Sequence, residues 1–382
     1  MSAVNNQGLV WLAGEASGDF IASLIMPEVQ KTYPGEKMQG IGGPKMAACG
    51  FDDWYPSSRL SVRGYIEVLG KIPELIALRA NMLSRTMKAS PRAFIGVDAP
   101  DFNLGLEIKL RNKGLRTVHL VCPAFWAWRP GRIETIKKAV DHMLCLFPFE
   151  KGMLDKFGVD STYIGHPLAS IIPMFPNKAR ARYEMGIETD GPVFCVMPGS
   201  RAAEIKYCAP VFFEACKKIL SYDARSNFYI PASDPVRKLQ IENLLRDDDI
   251  LSRRVTLVDG QSHRLLEACD AVLAASGTAT LEAALFKRPM VVGYKMPALT
   301  GMLMQKKGTT HFVSLPNILT EERLVPELLQ YYCTADAIAG QLWLAYERRD
   351  DEELMRKYIA IHRSLLRNTP ELAAKAIEGV CQ

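Results

Sequence analysis

The stretch from Val272 to Tyr294 constrains the fold of this 382-residue chain more than any other. Its sequence, VLAASGTATLEAALFKRPMVVGY, begins in one apolar run, passes through a turn of small residues and ends in a second apolar run. Such runs are typical of strands buried on both faces of a parallel sheet. Between them, Ala279–Phe286 consists mainly of good helix formers. We therefore predict a strand over Ala271–Ala275, a tight turn, a short helix and a strand over Met290–Tyr294.

The turn in this stretch, Ser276–Thr278, predicts an anion site. A turn of this kind exposes backbone N–H groups and the positive end of the following helix, and both favour a phosphate. Glu282 follows Thr278 on the same helix face, about 6 Å further along the axis. Its carboxylate suits ribose hydroxyls better than phosphate, so the two features together indicate a nucleoside diphosphate. A capped helix between two core strands is equally compatible with this stretch.

Length, composition and net charge indicate how many domains the chain has and what kind of partner it binds. A chain of 382 residues exceeds what one hydrophobic core usually supports, which predicts two domains. Hydrophobic residues make up 48% and charged residues 23%, as in ordinary globular proteins, and no run approaches the roughly 18 apolar residues of a membrane span. The N-terminal segment lacks a basic start, so no signal peptide is expected. The net charge of +5 is too small to indicate nucleic acid and suits anionic surfaces or phosphorylated substrates.

The nine cysteines are scattered, odd in number and without a CxxC pair. We therefore expect reduced thiols in a reducing compartment. Histidines and cysteines also lack the spacing of metal ligands, so neither a metal nor another cofactor is expected.

Strands alternate with helices in two series, which predicts two doubly wound α/β domains with parallel sheets. Prolines between the series, at Pro167, Pro173 and Pro176, indicate a hinge. We predict a first domain over residues 1–167, a second over 168–344 and C-terminal helices over 345–382, with a cleft between the domains as the default ligand site. The other predicted elements are strands at Gly8–Ala13, Met38–Ile41, Ala93–Val97, Thr117–Val121, His142–Leu146, Thr162–Ile164, Val193–Met197, Asn227–Pro231 and Val255–Val258, a helix at Phe20–Lys31, and a segment Phe312–Leu315 that leads into a Pro-Asn turn.

Acidic side chains follow two strands of the first series. GEASGD (Gly14–Asp19) is a glycine-spaced turn but not GxGxxG, and Glu15 and Asp19 would repel a pyrophosphate, so the turn suits sugar hydroxyls. Asp98 in VDAPDFN directly follows a buried strand, at the edge where open α/β sheets place their ligands, and Pro100 has no N–H to engage it. Asp98 is therefore a candidate general base. In both motifs the alternative is a carboxylate that only caps a helix.

The loop CPAFWAWRPGR (Cys122–Arg132) brings Trp126 and Trp128 together with Arg129 and Arg132. An aromatic surface with guanidinium groups can hold a sugar ring and a phosphate. Tryptophan and arginine are also frequent at protein interfaces, so an interface is the alternative.

In the second series, PGSRAAE places Gly199, Ser200 and Arg201 between a strand and a helix. Arg201 carries a permanent charge at the edge of the second sheet, which suits a diphosphate. The alternative is a surface ion pair with Glu204. His166, in GHP, lies near the hinge, where it could face the cleft or satisfy a backbone carbonyl.

Two regions mix apolar residues with cations and have the composition of membrane-surface elements. The first is Leu60–Gly70 together with the helical pattern of Ile72–Met87, and the second is Met296–Lys307. An ordinary core element is the alternative in each case.

The motifs GEASGD, DAPDFN, WAWR, GHPL, PGSR…E, SGTATLE, VVGYK and SLPN lie between Gly8 and Asn317, and their order resembles that of lipid-A-disaccharide synthases. SGTxxLE recurs in other nucleotide-sugar transferases, whereas DAPDFN with WAWR is specific. The chain departs from the family at Cys122-Pro123-Ala124, where Ser-Pro-Ser is usual. The resemblance implies the GT-B fold, with two Rossmann-like domains, a cleft between them and C-terminal helices that cross back over the first domain.

The resemblance also implies a reaction. It is an inverting, metal-independent transfer of 2,3-diacylglucosamine from UDP-2,3-diacylglucosamine to 2,3-diacylglucosamine 1-phosphate, which makes a β-1,6 disaccharide and releases UDP. Asp98 is the expected base, with Glu15 and His166 in reserve. Acceptor contacts are expected at Ser17, Asp19, Trp126, Trp128 and Arg129, and UDP-sugar contacts at Gly199, Ser200, Arg201, Ser276, Gly277, Thr278, Glu282 and Asn317.

The acylated substrates imply a protein on the cytoplasmic face of the inner membrane, peripheral because no membrane span is predicted. Two other functions stay open: a GT-B enzyme acting on UDP-N-acetylglucosamine, such as a lipid-linked transferase or a 2-epimerase, and a UDP-binding scaffold without catalysis. The membrane-surface segments favour a lipid acceptor, and a scaffold would not need Asp98 as a base. No nucleic-acid partner is expected, while acyl-chain length and oligomeric state, including a homodimer, stay open.

Overall fold

The computed structural model describes residues 8–60, 65–246, 248–297 and 312–382, with the backbone alone at positions 58, 65–71 and 128. In these residues the strands form one seven-stranded and one six-stranded sheet. The strands are β1 (Leu9–Ala13), β2 (Met38–Ile41), β3 (Asp52–Asp53), β4 (Ala93–Val97), β5 (Arg116–Leu120), β6 (His142–Cys145), β7 (Ser161–Tyr163), β8 (Val193–Met197), β9 (Asn227–Ala232), β10 (Val255–Asp259), β11 (Ala271–Ala274), β12 (Met290–Tyr294) and β13 (Glu327–Leu329).

Helices connect the strands throughout the described ranges. They are α1 (Ala16–Thr32), α2 (Pro44–Ala47), α3 (Tyr65–Ala89), α4 (Pro100–Arg111), α5 (Phe125–Trp128), α6 (Arg132–Ala139), α7 (Pro148–Asp155), α8 (Leu168–Ile171), α9 (Lys178–Glu184), α10 (Ala202–Tyr222), α11 (Pro235–Leu245), α12 (Ser262–Ala268), α13 (Thr278–Leu285), α14 (Leu315–Thr320), α15 (Ala335–Glu347), α16 (Glu352–Leu365) and α17 (Thr369–Cys381).

The chain divides into two compact units. Unit 1 comprises residues 1–170 and 365–382, and unit 2 comprises residues 171–364. The sequence-based division assigned all residues from 345 to a separate C-terminal segment, but in the structure α15 and nearly all of α16 belong to unit 2. The last helix, α17, belongs to unit 1, where Ala373, Ala374 and Ile377 join the core formed by β1, β4 and α1.

The first six strands have the same order in the two units, and unit 1 adds a seventh strand at the end. The order is β3-β2-β1-β4-β5-β6-β7 in unit 1 and β10-β9-β8-β11-β12-β13 in unit 2, and all pairs are parallel. In both, the order reverses between the first and the fourth strand of the unit, as in doubly wound nucleotide-binding sheets. Ligands of such sheets bind beyond the carboxyl ends of these two strands, which are β1 and β4 in unit 1 and β8 and β11 in unit 2.

The central strands form where the sequence is continuously apolar. All residues of β1, β4 and β11 are buried, because helices cover both faces of each sheet. In unit 1, Leu9, Trp11 and Ala13 contribute to the core on one face of the sheet, and Val10 and Leu12 to the core on the other.

Two local predictions need correction. The predicted turn Gly14–Asp19 is already helical from Ala16, with Glu15 as the capping residue and Asp19 in the first turn of α1. The predicted Pro-Asn turn is instead the start of α14, with Pro316 in its first turn.

The inner face of helix α3 belongs to the core, with Leu78 and Met82 buried. Its arginines contact protein groups: Arg79 donates to the carbonyl of Asp101 at 2.8 Å, and the Arg85 guanidinium lies 4.6 Å from the ring centroid of Trp54. Much of the two predicted membrane-surface segments lies outside the described residues or side chains. Within the described ranges, none of the helices combines the length and the hydropathy that a membrane span requires.

Candidate active site

In unit 2, the loop after β8 carries Gly199, Ser200 and Arg201. Gly199 has φ +120°, and a Cβ there would lie 2.6 Å from the Glu204 carboxylate. This close approach lets Glu204 accept the backbone N–H groups of Ser200 and Arg201, at 3.0 and 3.2 Å. The start of α10 is therefore already occupied by a carboxylate of the chain itself.

The Arg201 side chain extends from this loop and is 66% exposed. One of its terminal nitrogens lies 3.4 Å from Glu204, so the ion pair considered from the sequence forms. The guanidinium carries a permanent positive charge and is largely exposed, which suits a phosphate.

The second half of this site is the turn Ser276–Thr278, next to the first. Because Ala274 of β11 pairs with Met197 of β8, the loops that follow these strands start side by side. Gly277, the residue preceding α13, has φ +124° and nothing within 4 Å of the position of a Cβ, and no side chain caps the helix. The start of α13 thus offers exposed N–H groups to an anion.

Glu282 lies one turn into α13. Its carboxylate oxygen is 3.6 Å from Nε2 of His263, which comes from α12. Burial raises the pKa of the Glu282 carboxyl to about 7. A half-buried carboxyl one turn beyond an anion site can accept hydrogen bonds from the hydroxyls of a ribose.

Asn317 requires a correction. It is fully buried, its Nδ2 donates to the Val325 carbonyl and to Glu327, both at 2.9 Å, and its Oδ1 accepts the Val325 N–H. The amide is thus saturated by the chain. Glu327 also accepts the Ser314 N–H at 2.8 Å, so Asn317 and Glu327 hold the segment before α14 rather than presenting a group to a ligand.

In unit 1, Asp98 and the turn after β1 meet at the carboxyl edge of the sheet. Ala13 pairs with Val97, so the residues that follow these two strands lie side by side. Ser17, which is exposed, donates from Oγ to Oδ2 of Asp98 at 3.4 Å. Glu15 is also exposed at this edge, and Ala99, not Asp98, is the capping residue of α4.

Asp19 does not fit the predicted acceptor site. It is 3% exposed, and its carboxylate accepts the N–H groups of Gly43, Lys45 and Met46 at 2.9, 3.1 and 3.0 Å. A Cβ at Gly43 would lie 2.6 Å from this carboxylate. Asp19 therefore anchors the loop after β2 and the start of α2.

His166 is also buried, at 5% exposure. Its Nδ1 accepts the N–H of Leu168 at 3.2 Å, so it satisfies a backbone donor rather than the carbonyl considered from the sequence. Burial lowers the pKa of the His166 imidazole to about 4, so the ring is neutral at pH 7. Its position favours a structural role at the end of unit 1.

The aromatic loop is tied to the segment that follows Asp98. Arg129 lies 3.3 Å from the carboxylate of Asp101, and Arg132 is bonded to the same oxygen. Sequence reasoning did not assign this role to Asp101, although an acid in the first turn of a helix followed by a loop with two arginines was a usable signal. The Trp128 side chain lies outside the described part of the chain.

Trp126, in the same loop, packs edge-on against Phe149, with ring centroids 5.0 Å apart. Glu150 accepts the N–H groups of Leu146 and Phe147, at 3.2 and 3.1 Å. Burial raises the pKa of this carboxyl to about 8, although the two backbone hydrogen bonds by themselves lower it.

One buried group of side chains has donor atoms close enough together for a metal ion. Atoms of Cys122, Cys145 and Glu150 lie within 4.8 Å of one another. Their sequence spacing carried no signal, because Cys122 follows β5, whereas Cys145 ends the neighbouring strand β6 and Glu150 lies in α7 after it. Glu150 already accepts two backbone N–H groups, Cys122 donates to the Pro123 carbonyl at 3.7 Å, and both cysteines belong to a hydrophobic core cluster.

Solved structures with the same architecture include sugar-nucleotide enzymes. UDP-GlcNAc 2-epimerase from Neisseria meningitidis, bound to UDP-GlcNAc, has a TM-score of 0.63 at 11% identity, covering 97% of this chain and 98% of that one. Acinetobacter baumannii MurG has a TM-score of 0.55 at 12% identity, covering 97% and 99%. At such identities the likeness shows the fold alone, and it confirms the predicted GT-B fold of two Rossmann-like domains.

Sequence comparison resolves the family. The family model for lipid-A-disaccharide synthetase matches residues 9–377. Lipid-A-disaccharide synthase of Verminephrobacter eiseniae is 45% identical over 378 residues, covering 97% of both chains. That of Burkholderia pseudomallei is 44% identical over 373 residues, covering 97% of this chain and 95% of the relative. The chain therefore belongs to the lipid-A-disaccharide synthase family, and it is a glycosyltransferase of lipid A biosynthesis.

Proposed function

We propose that this protein transfers 2,3-diacylglucosamine from UDP-2,3-diacylglucosamine to the 6-hydroxyl of 2,3-diacylglucosamine 1-phosphate, releasing UDP. The observation that carries the proposal is the contrast between the two switch points in a chain of this family. One presents carboxylates beside a hydroxyl, at Asp98, Glu15 and Ser17. The other presents a guanidinium, at Arg201, beside an uncapped helix end.

Unit 2 is proposed to bind the donor. The diphosphate would lie against Arg201 and the turn formed by Ser276, Gly277 and Thr278, and the ribose hydroxyls would donate to Glu282. As the glycosidic bond breaks, negative charge develops on the departing UDP. A guanidinium and helix N–H groups stabilise that charge without requiring a metal ion.

Unit 1 is proposed to bind the acceptor, with Ser17, Trp126, Trp128 and Arg129 around the sugar phosphate. A primary alcohol is a poor nucleophile at neutral pH unless a base takes its proton as the new bond forms. Asp98 is the proposed base, and Glu15 is the reserve. A single displacement assisted by one base converts an α-linked donor into a β-linked product.

The experiment supplies both acylated substrates and follows UDP and the disaccharide 1-phosphate by mass spectrometry. We expect product with the acylated donor and not with UDP-N-acetylglucosamine. Turnover of UDP-N-acetylglucosamine alone, with no disaccharide from the acylated pair, would favour the alternative sugar-nucleotide activity.

We further propose that α3 contributes to membrane contact on the cytoplasmic side. Ile72 and Ile76 are 40% and 61% exposed, on a helix whose opposite face is core. Changing both to Ser should weaken binding to anionic phospholipid vesicles, because each apolar side chain kept in water loses up to about 1.5–3 kcal/mol. The matched control changes Val236 and Leu239, exposed on α11 of unit 2, to Ser. Equal vesicle binding by the α3 variant and the control would exclude this role for α3.

A further inference from the structure

The backbone around Asp98 has an unusual conformation. Asp98 and Ala99 have φ +51° and +43°, so two consecutive residues with side chains adopt the left-handed region. This region is unfavourable for residues other than glycine, and it persists only where surrounding contacts impose it. The contacts that impose it therefore determine where the Asp98 carboxylate points.

The amide of Asn103 supplies the most direct of these contacts. Asn103 is fully buried in α4, and its Nδ2 donates to the carbonyl of Asp98 at 2.8 Å. The same nitrogen lies 3.3 Å from the carbonyl of Leu12 and 3.4 Å from that of Val97. One side chain thus joins the carboxyl ends of β1 and β4 to the residue between β4 and α4.

Other contacts also fix the position of the Asp98 backbone. The N–H of Asp98 donates to the Leu120 carbonyl at 2.9 Å, which continues the pairing with β5. Gly96 provides room for the side chains of Glu107 and Asn103, since a Cβ at Gly96 would overlap the Glu107 carboxylate and lie 3.2 Å from the Asn103 side chain. The Asp98 N–H is held by the sheet, and its carbonyl is held by the Asn103 amide.

We propose that Asn103 is a positioning residue for the reaction: its amide holds Asp98 in the left-handed conformation that directs the carboxylate toward Ser17 and the acceptor. This inference rests on the proposed role of Asp98 as base. Asn103 itself is buried beneath the sheet edge and does not touch substrate. Without the amide, the backbone of Asp98 and Ala99 relaxes toward conformations with negative φ, and the carboxylate no longer points toward Ser17 and the acceptor.

The test is a double-mutant cycle of Asn103→Ala and Asp98→Asn, with kcat and the donor KM measured on the acylated substrates. A displacement of a catalytic group by about 1 Å costs up to about 100-fold, so Asn103→Ala should lower kcat about 10- to 100-fold with the donor KM unchanged. In the Asp98→Asn background the same change should have almost no further effect on kcat, because no base is left to position.

The matched control is Thr117→Val. It removes another fully buried hydrogen bond of the same sheet, from Thr117 Oγ1 to the Ala139 carbonyl at 2.7 Å, near the amino end of β5. This variant should lower the melting temperature and leave kcat unchanged. If Asn103→Ala does not fold, Asn103→Ser, which retains a donor, takes its place in the cycle and should lose less kcat.

The outcomes distinguish the positioning role of Asn103 from the role of Asp98 as base. Near wild-type kcat in Asn103→Ala, or a full additive loss in the double variant, would overturn the positioning role while leaving Asp98 as base. Near wild-type kcat in Asp98→Asn would overturn the base assignment, and a loss in Asn103→Ala alone would then show that Asn103 does not act through Asp98.

Discussion

In unit 1 the loops after β1 and β4 present Glu15, Ser17 and Asp98, whereas in unit 2 the loops after β8 and β11 present Arg201 and the start of α13. The strand order around the two switch points is the same. The chemistry therefore differs because of the residues that follow the strand ends, and not because of the sheet.

Within unit 2, a similar contrast separates the two helix starts. Glu204, in the first turn of α10, accepts the N–H groups of Ser200 and Arg201 just before that helix, while the first turn of α13 contains no acidic side chain. An anion placed at α13 meets donors that are exposed, whereas at α10 it would meet a carboxylate. Of these two helix starts, that of α13 is therefore the more favourable for an anion.

The largest expected effect tests the unit 1 side of the comparison. Asp98→Asn keeps the size of the side chain but cannot accept a proton, so kcat should fall about 10²- to 10⁴-fold, with UDP affinity nearly unchanged. Asp52→Asn, at an exposed carboxylate of the edge strand β3, is the control and should leave kcat unchanged. Equal kcat in the two variants would transfer the role of base to Glu15.

The second prediction concerns His166, which also belongs to unit 1. Its pKa is about 4 in the folded protein and 6.5 in the unfolded chain, so the unfolded state binds the extra proton between these values. The free energy of unfolding should therefore fall as the pH decreases from 6.5 to 4, by up to about 3 kcal/mol from this group. His166→Asn, whose Oδ1 can accept the Leu168 N–H, should remove that part of the slope in urea unfolding. An unchanged slope would show that the imidazole is not the group that titrates.

The third prediction tests the unit 2 side. Arg201→Ala should raise the donor KM or lower kcat/KM by about 1.5–3 kcal/mol, as for a hydrogen bond to a charged group. Arg264→Ala, at another partly exposed arginine of unit 2 that pairs with Glu184, is the control and should have little effect. Activity that EDTA abolishes and Mg²⁺ restores would contradict the proposal that protein groups alone stabilise UDP.

The smallest effect is expected at Glu282, whose pKa is about 7. If its carboxylate accepts ribose hydroxyls, the donor KM should decrease several-fold, by about 1 kcal/mol, as the pH rises through 7. Glu282→Gln should make the donor KM independent of pH in this range. The same pH dependence in both proteins would show that a group other than Glu282 causes it.

Sequence reasoning located the strands well where burial makes them continuously apolar. Met38–Ile41, Ala93–Val97, Val193–Met197 and Met290–Tyr294 have the predicted bounds. It also located the motifs at the strand ends, since chain order alone puts them after strands, and the doubly wound topology then brings them to the switch points.

Only the tertiary structure decided which polar side chains are available to contact a ligand. Asp19, His166 and Asn317 looked like ligand groups in the sequence, but they are buried and engaged with backbone atoms. Their hydrogen-bond partners lie on other elements or beyond a turn. The local sequence pattern does not indicate whether such a side chain bonds to the backbone of the protein or is left to contact a ligand.

The same holds for the conformation of Asp98. The residues around it predict a strand, a short turn and a helix, which are properties of neighbouring positions. Its left-handed backbone depends on an amide that also reaches Leu12, a residue 91 positions from Asn103. Local sequence therefore determined the elements and their order. Long-range packing determined which groups are saturated and which remain exposed, because hydrogen bonds between distant segments form only once the sheet is assembled.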